Sequence, residues 1–119
     1  MKVIVWNENI HEKSDPRVTE IYPGGIHEFI ASFLRCDDIE VRTASLYEPG
    51  TDFNCEEPKI APDAGLSEEV LKNTDVLIWW GHCRHAFVPD EVAMRVKNEV
   101  LKGMGFIGLH SAHASKPFR

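Results

Sequence analysis

The sequence predicts an α/β fold built on a parallel sheet. Four short apolar runs alternate along the chain with segments whose apolar residues recur at helical spacing. Continuous apolar runs are typical of strands buried on both faces of a parallel sheet, and strands that alternate with helices form such sheets through right-handed crossovers. Polar clusters follow three of the runs, which is where ligands bind in sheets of this class. The whole pattern is that of a flavodoxin-like, doubly wound sheet with the strand order 2-1-3-4.

Each element has its own local signal. The run KVIVW is the first strand, and the helix after it carries an apolar stripe of Ile26, Phe29, Ile30, Phe33 and Leu34. IEVRTAS is the second strand. Ser67 suits the N-cap of a helix over EEVLKN, and DVLIWW is the third strand. Pro89 begins the last helix, Gly103 suits its end, and GFIGL is the fourth strand.

These signals predict the bounds of the elements and the core. We expect strands near residues 2–6, 39–45, 75–80 and 104–109, and helices over 23–35, 67–73 and 89–102. The predicted core is Val3, Val5, Ile26, Phe29, Ile30, Phe33, Val76, Ile78, Val96, Val100 and Ile107. Residues 48–66 contain three prolines and show no period, and loops of that length are usually functional or disordered.

Composition narrows the class of protein. A net charge of −6 with no basic cluster argues against nucleic acid or an anionic membrane as partner, and no apolar run approaches the ~20 residues that span a bilayer. Cys36, Cys55 and Cys83 are odd in number and widely spaced, unlike a disulfide framework. We therefore expect a cytoplasmic protein with reduced thiols.

The predicted sheet would have an uncovered edge after its fourth strand. A covering helix and further strands would normally follow the fourth strand, and without them the sheet leaves apolar surface open. We expect a single domain over residues 1–119 that is either the N-terminal part of a longer domain or a subunit of an assembly such as a homo-oligomer.

Four of the six histidines form two His-x-x-His pairs, each directly after an apolar strand. Strands one, three and four are neighbours in the predicted order, so the pairs should share one rim with the polar residues after strand one. Neutral imidazole is the commonest metal ligand, and histidine with an optional cysteine suits Zn²⁺ best. The predicted ligands are His82, His85, His110 and His113, with His11 as a further ligand or acid/base and Cys83 as a lesser candidate. A sugar site without metal is the alternative.

Other residues of the rim are candidates for binding a small substrate. Asn7 and Glu8 follow strand one and can donate or accept hydrogen bonds. Adjacent strand residues point to opposite faces, so one of the two neighbouring tryptophans should be core, while Trp80 is predicted to stack on a sugar. Tyr22 and Lys116 are further candidates for hydroxyl or anionic groups.

Four stretches resemble the trehalose-utilisation (ThuA-like) family, which belongs to the class I glutamine amidotransferase-like superfamily. They are VIVWNENIHEK, IYPGGIHEFIASFL, DVLIWWGHCRHAFVPDEV and GMGFIGLHSAHASKPF. The resemblance implies a flavodoxin-like doubly wound sheet, a cytoplasmic role in sugar catabolism, and a chain that corresponds to the N-terminal half of the longer family members.

The superfamily's nucleophile turn, Gly-x-Cys-x-Gly, falls on residues 108–112, where His110 replaces the cysteine and Ser111 is its neighbour. Glutamine amidotransferase activity is therefore not expected, and His110, Ser111 and His11 are the predicted catalytic residues. The leading hypothesis is an enzyme that acts on a sugar or keto-sugar, a hydrolase or isomerase assisted by Zn²⁺. The alternative is a non-catalytic sugar- or metal-binding protein on a disabled amidotransferase fold.

Overall fold

The computed structural model describes residues 1–48 and 60–118, and in it the strands form one parallel sheet in the order β2-β1-β3-β4. This confirms the predicted topology. The strands are β1 (Lys2–Asn7), β2 (Glu40–Ser45), β3 (Val76–Trp80) and β4 (Gly105–Gly108). Most of the predicted loop 48–66, with Cys55 in it, lies outside the described residues.

Five α-helices connect the strands in the described ranges. They are α1 (His11–Ser14), α2 (Pro16–Ile21), α3 (Ile26–Leu34), α4 (Glu68–Lys72) and α5 (Asp90–Leu101). The Ser67 side chain accepts a hydrogen bond from the Val70 amide, which confirms the predicted cap of α4. The short helices α1 and α2 were not predicted. None of the described helices is long and apolar enough to cross a membrane.

The sheet has a core on each face. On one face Ile4, Trp6, Leu77 and Trp79 pack against α4 and α5, and on the other face Val3, Val5 and Ile78 pack against α3. Parallel strands with both faces covered require such continuous apolar sequences. Of the predicted core residues, Val3, Val5, Ile78 and Val96 are buried, whereas Ile26, Ile30 and Val76 are half-buried.

Four of the predicted core residues are wrong, since Phe29, Phe33, Val100 and Ile107 are exposed by 54%, 65%, 38% and 49%. Helix α3 buries Ala31 and packs Ile30 and Leu34 on the sheet, so the Phe29 and Phe33 rings lie beside each other at the helix flank. Val100 lies in the last turn of α5. Ile107 is the register partner of Ile78, which faces α3, but α3 packs chiefly on β1 and β2 and leaves this edge strand less covered.

Candidate functional site

The polar residues that follow β1, β3 and β4 meet at the carboxyl ends of these strands. Glu8, which follows β1, is 1% exposed and joins the loop after β1 to the loop after β3. Its Oε1 accepts a hydrogen bond from the Cys83 amide at 2.8 Å, and its Oε2 accepts one from the Arg84 amide at 2.9 Å. The carboxylate thus holds the loop after β3 in place.

The Glu8 carboxylate is also one of three groups that lie close together and could bind a metal ion, with His11 and Cys83 as the other two. The Cys83 sulfur lies 3.4 Å from Glu8 Oε1 and 3.5 Å from His11 Nε2. One ligand atom from each of these three residues lies within 4.8 Å of the others, and residues 1–48 and 60–118 contain no other such group. Partial burial and the negative Glu8 raise the pKa of the Cys83 thiol to about 11, so it is protonated at neutral pH.

A second cluster centres on His82. Its Nδ1 lies 2.6 Å from the Ser111 hydroxyl oxygen, which comes from the loop after β4. Its ring stacks on Trp80 with an interplanar angle of 18° and lies 5.1 Å from the His11 ring, centroid to centroid. A side chain held by a hydroxyl on one side and an indole face on the other is well oriented for proton transfer.

A cavity of about 230 Å³ opens beside these rings. Its lining consists of His11, Glu12, Val18, Tyr22, Ile26, Trp80 and His82. Aromatic and aliphatic walls with a few convergent polar groups are typical of small-molecule sites, and this volume lies below the ~300–1,000 Å³ of sites for drug-sized ligands. The cavity therefore suits a ligand smaller than a drug-sized molecule.

A buried polar chain supports one wall of the cavity. The Asn7 Nδ2 group donates to Glu12 Oε2 and lies 3.0 Å from His27 Nδ1, while Glu12 Oε2 also accepts from the Ile26 amide at 3.3 Å. Asn7, Glu12 and His27 are 0%, 2% and 8% exposed. Burial lowers the pKa of His27, which favours the neutral ring that can accept from Asn7. Asn7 is therefore an interior residue that orients Glu12.

Comparison with known proteins places the chain in a family. The family model described as ThuA, trehalose utilisation, matches residues 2–119. The chain belongs to the ThuA family. Comparison with curated proteins finds no matching sequence. Family membership supports a role related to trehalose utilisation, and the parallel sheet agrees with the amidotransferase-like superfamily.

In this ThuA-family protein the members of each His-x-x-His pair have different surroundings. His82 bonds Ser111, whereas His85 Nδ1 is buried and has no hydrogen-bond partner among the described residues. The rings of His110 and His113 lie 6.1 Å apart, and both residues are exposed. The structure thus brings His11 and His82 together and groups His11 with Glu8 and Cys83. Metal binding by the two pairs stays a prediction.

The remaining candidates are placed as follows. Tyr22 lines the cavity, and its ring contacts Phe29 edge to face. The Lys116 ammonium group lies 2.7 Å from the Asp90 carboxylate and donates to the Val88 carbonyl at 2.6 Å, which ties it to the start of α5. The sequence did not predict a role for Glu12. The one sequence feature that points to Glu12 as a site residue is that it directly follows His11.

Proposed function

We propose that this ThuA-family protein is an enzyme that transfers protons to and from a sugar or keto-sugar bound in the cavity between His11 and His82. The observation that carries the proposal is the neighbouring pair of imidazoles, with ring centroids 5.1 Å apart and planes tilted by 59°, in the wall of a cavity of about 230 Å³. Histidine is the side chain whose pKa lies closest to neutral pH, so two of them can act as acid and base.

The cavity walls fit a sugar because they combine an apolar platform with polar groups. The Trp80 indole provides a flat face for the C–H groups of a sugar ring, and Tyr22 lies in the same wall. The Glu12 carboxylate and the two imidazoles can bond its hydroxyl groups. An aromatic side chain carries this apolar contact with little loss of conformational freedom.

His82 is the better oriented of the two imidazoles. Its Nδ1 is engaged by the Ser111 hydroxyl, so its Nε2 is the atom left to take or give a proton. In a keto-sugar, one imidazole would remove the proton on the carbon next to the carbonyl while the other protonates the carbonyl oxygen, which gives an enediol. After the proton on the base has exchanged with solvent, a proton returns to that carbon or to the former carbonyl carbon, and a hydroxyl group of the enediol gives up its proton as the new carbonyl forms. This is the proton movement of enolisation and isomerisation.

The test is proton exchange with deuterated water, followed by NMR on aldoses and keto-sugars in the presence of the full chain. A general base contributes ~10²–10⁴-fold to the rate, so His82→Gln should lower exchange at least about 100-fold. Ser111→Ala should cause a smaller loss. Lys97→Gln, on an exposed position of α5, is the control and should exchange as the parent does.

The other outcomes point to other functions. Sugar binding in calorimetry without exchange would contradict the proposal and favour a non-catalytic sugar-binding protein. A larger loss with His110→Gln than with His82→Gln would move the acid/base role to the predicted nucleophile turn.

A further inference from the structure

We infer that Glu8, His11 and Cys83 form a binding site for a divalent transition-metal ion, Zn²⁺ by preference. The three residues offer a carboxylate oxygen, an imidazole nitrogen and a sulfur within 4.8 Å of one another. Two of these donors, His11 and Cys83, were predicted as a further ligand and a lesser candidate, whereas Glu8 takes the place of the four histidines of the two pairs. The donors come from the loops that follow β1 and β3.

The distances match the ion. Tetrahedral Zn²⁺ forms bonds of ~2.3 Å to sulfur and ~2.0–2.1 Å to nitrogen or oxygen, so two of its ligand atoms lie about 3.3–3.6 Å apart. The Cys83 sulfur lies 3.4 Å from Glu8 Oε1 and 3.5 Å from His11 Nε2. Both distances to the sulfur therefore match a common tetrahedral ion, and the ligand atoms of Glu8 and His11 lie within 4.8 Å of each other.

The negative charge of Glu8 also favours a bound cation at this site. Glu8 is 1% exposed, and no lysine or arginine forms an ion pair with it in the described part of the chain. Buried carboxylates are normally paired with a cation or bound to a metal. A Zn²⁺ ion that displaces the thiol proton of Cys83 would be balanced by one carboxylate and one thiolate, with His11 neutral.

The surrounding hydrogen bonds preorganise the ligands. The amides of Cys83 and Arg84 each donate to one oxygen of Glu8, which fixes the plane of the carboxylate. Outer hydrogen bonds of this kind orient metal ligands and raise affinity. Three protein ligands leave the fourth tetrahedral position to water or to a bound oxygen, as in catalytic zinc sites. His11 lines the sugar cavity as well, so the ion would lie at its edge. With the ion bound, His11 Nε2 is occupied, and the water on the ion would take over the acid/base role of His11 opposite His82.

The site can be tested without any turnover assay, so its failure and the failure of the proposed sugar chemistry are distinguishable. The full chain, without an affinity tag and freed of metal by a chelator under reducing conditions, is titrated with Co²⁺. We expect one equivalent to bind with the intense visible bands of four-coordinate cobalt and a near-ultraviolet thiolate-to-cobalt band. Zn²⁺ should displace the cobalt.

Variants assign the ligands. Cys83→Ser should abolish the thiolate band, and Cys36→Ser, at an exposed thiol elsewhere, should leave it unchanged. His11→Gln should weaken Zn²⁺ binding by roughly 100-fold or more, since even loss of an outer hydrogen bond to a ligand costs ~10–100-fold. Circular dichroism checks that each variant is folded. Absence of the thiolate band in the parent, or its survival in Cys83→Ser, would overturn the inference. Binding of one ion without a thiolate band would move the site to the histidine pairs.

Discussion

The two buried glutamates of the rim should respond differently to the same isosteric substitution. Glu8 uses both carboxylate oxygens, one for the Cys83 amide and one for the Arg84 amide. In Glu8→Gln one of these oxygens becomes an NH₂ group that faces a backbone donor. One amide then has no hydrogen-bond acceptor, which costs ~1–3 kcal/mol, and the hydrogen bond of the other amide loses its charged acceptor, which costs about 1 kcal/mol. We expect the free energy of unfolding to fall by about 2–4 kcal/mol.

Glu12→Gln is the matched control because its bonds converge on a single oxygen. Glu12 Oε2 accepts from both Asn7 Nδ2 and the Ile26 amide, and the carbonyl oxygen of glutamine can take its place. The new NH₂ group can face the cavity that Glu12 lines. Only the charge of the acceptor is lost, so the free energy of unfolding should fall by about 1 kcal/mol or less.

Urea unfolding followed by tryptophan fluorescence measures both values. A domain of this size is stable by ~5–15 kcal/mol, so the expected loss in Glu8→Gln is a large fraction of the total. Equal losses in the two variants, or a larger loss in Glu12→Gln, would refute the reasoning that the Glu8 carboxylate is required by its two amide donors.

Three further predictions follow from local geometry. Cys36 and Cys83 are both exposed, but partial desolvation and a neighbouring carboxylate raise the pKa of Cys83 to about 11. Iodoacetamide should therefore modify Cys83 more slowly than Cys36 at neutral pH, and equal rates by peptide mass spectrometry would contradict this. Gly25→Ala should lower the melting temperature more than Gly103→Ala. Both glycines have positive φ, but only at Gly25 would the new Cβ lie 2.4 Å from His27 Cε1, so similar melting temperatures would argue against this steric cause. Burial lowers the pKa of His27 in the folded protein below the unfolded value of ~6.5. The stabilisation by the neutral ring is therefore complete above that pH and is lost as the pH falls from ~6.5 towards the folded pKa. His27→Gln should flatten the fall of the unfolding free energy over this pH range, and an unchanged slope would exclude the buried ring as its cause.

The sheet could be predicted from the sequence because its signals are periodic and local. Strand runs such as KVIVW are apolar at every position, as burial on both faces requires, and the order of strands and helices restricts the topology to a few arrangements. The same reasoning brought the residues after β1, β3 and β4 to one rim. The orientation of α3 was not predictable to the same degree, since its apolar stripe is wider than the surface that it buries. Phe29 and Phe33 therefore remained exposed.

The partners within the rim were decided by the tertiary structure. His82 pairs with Ser111, 29 residues away, rather than with His85. His11 and nearby Glu8 join Cys83, which is 72 residues from His11. Loop residues have no repeating dihedral angles, so spacing does not show where their side chains point. Here the course of the loop after β3 is set by the hydrogen bonds from two of its backbone amides to Glu8, which turn the loop towards His11. Composition and periodicity thus determined which residues reach the rim, and long-range hydrogen bonds determined which of them meet.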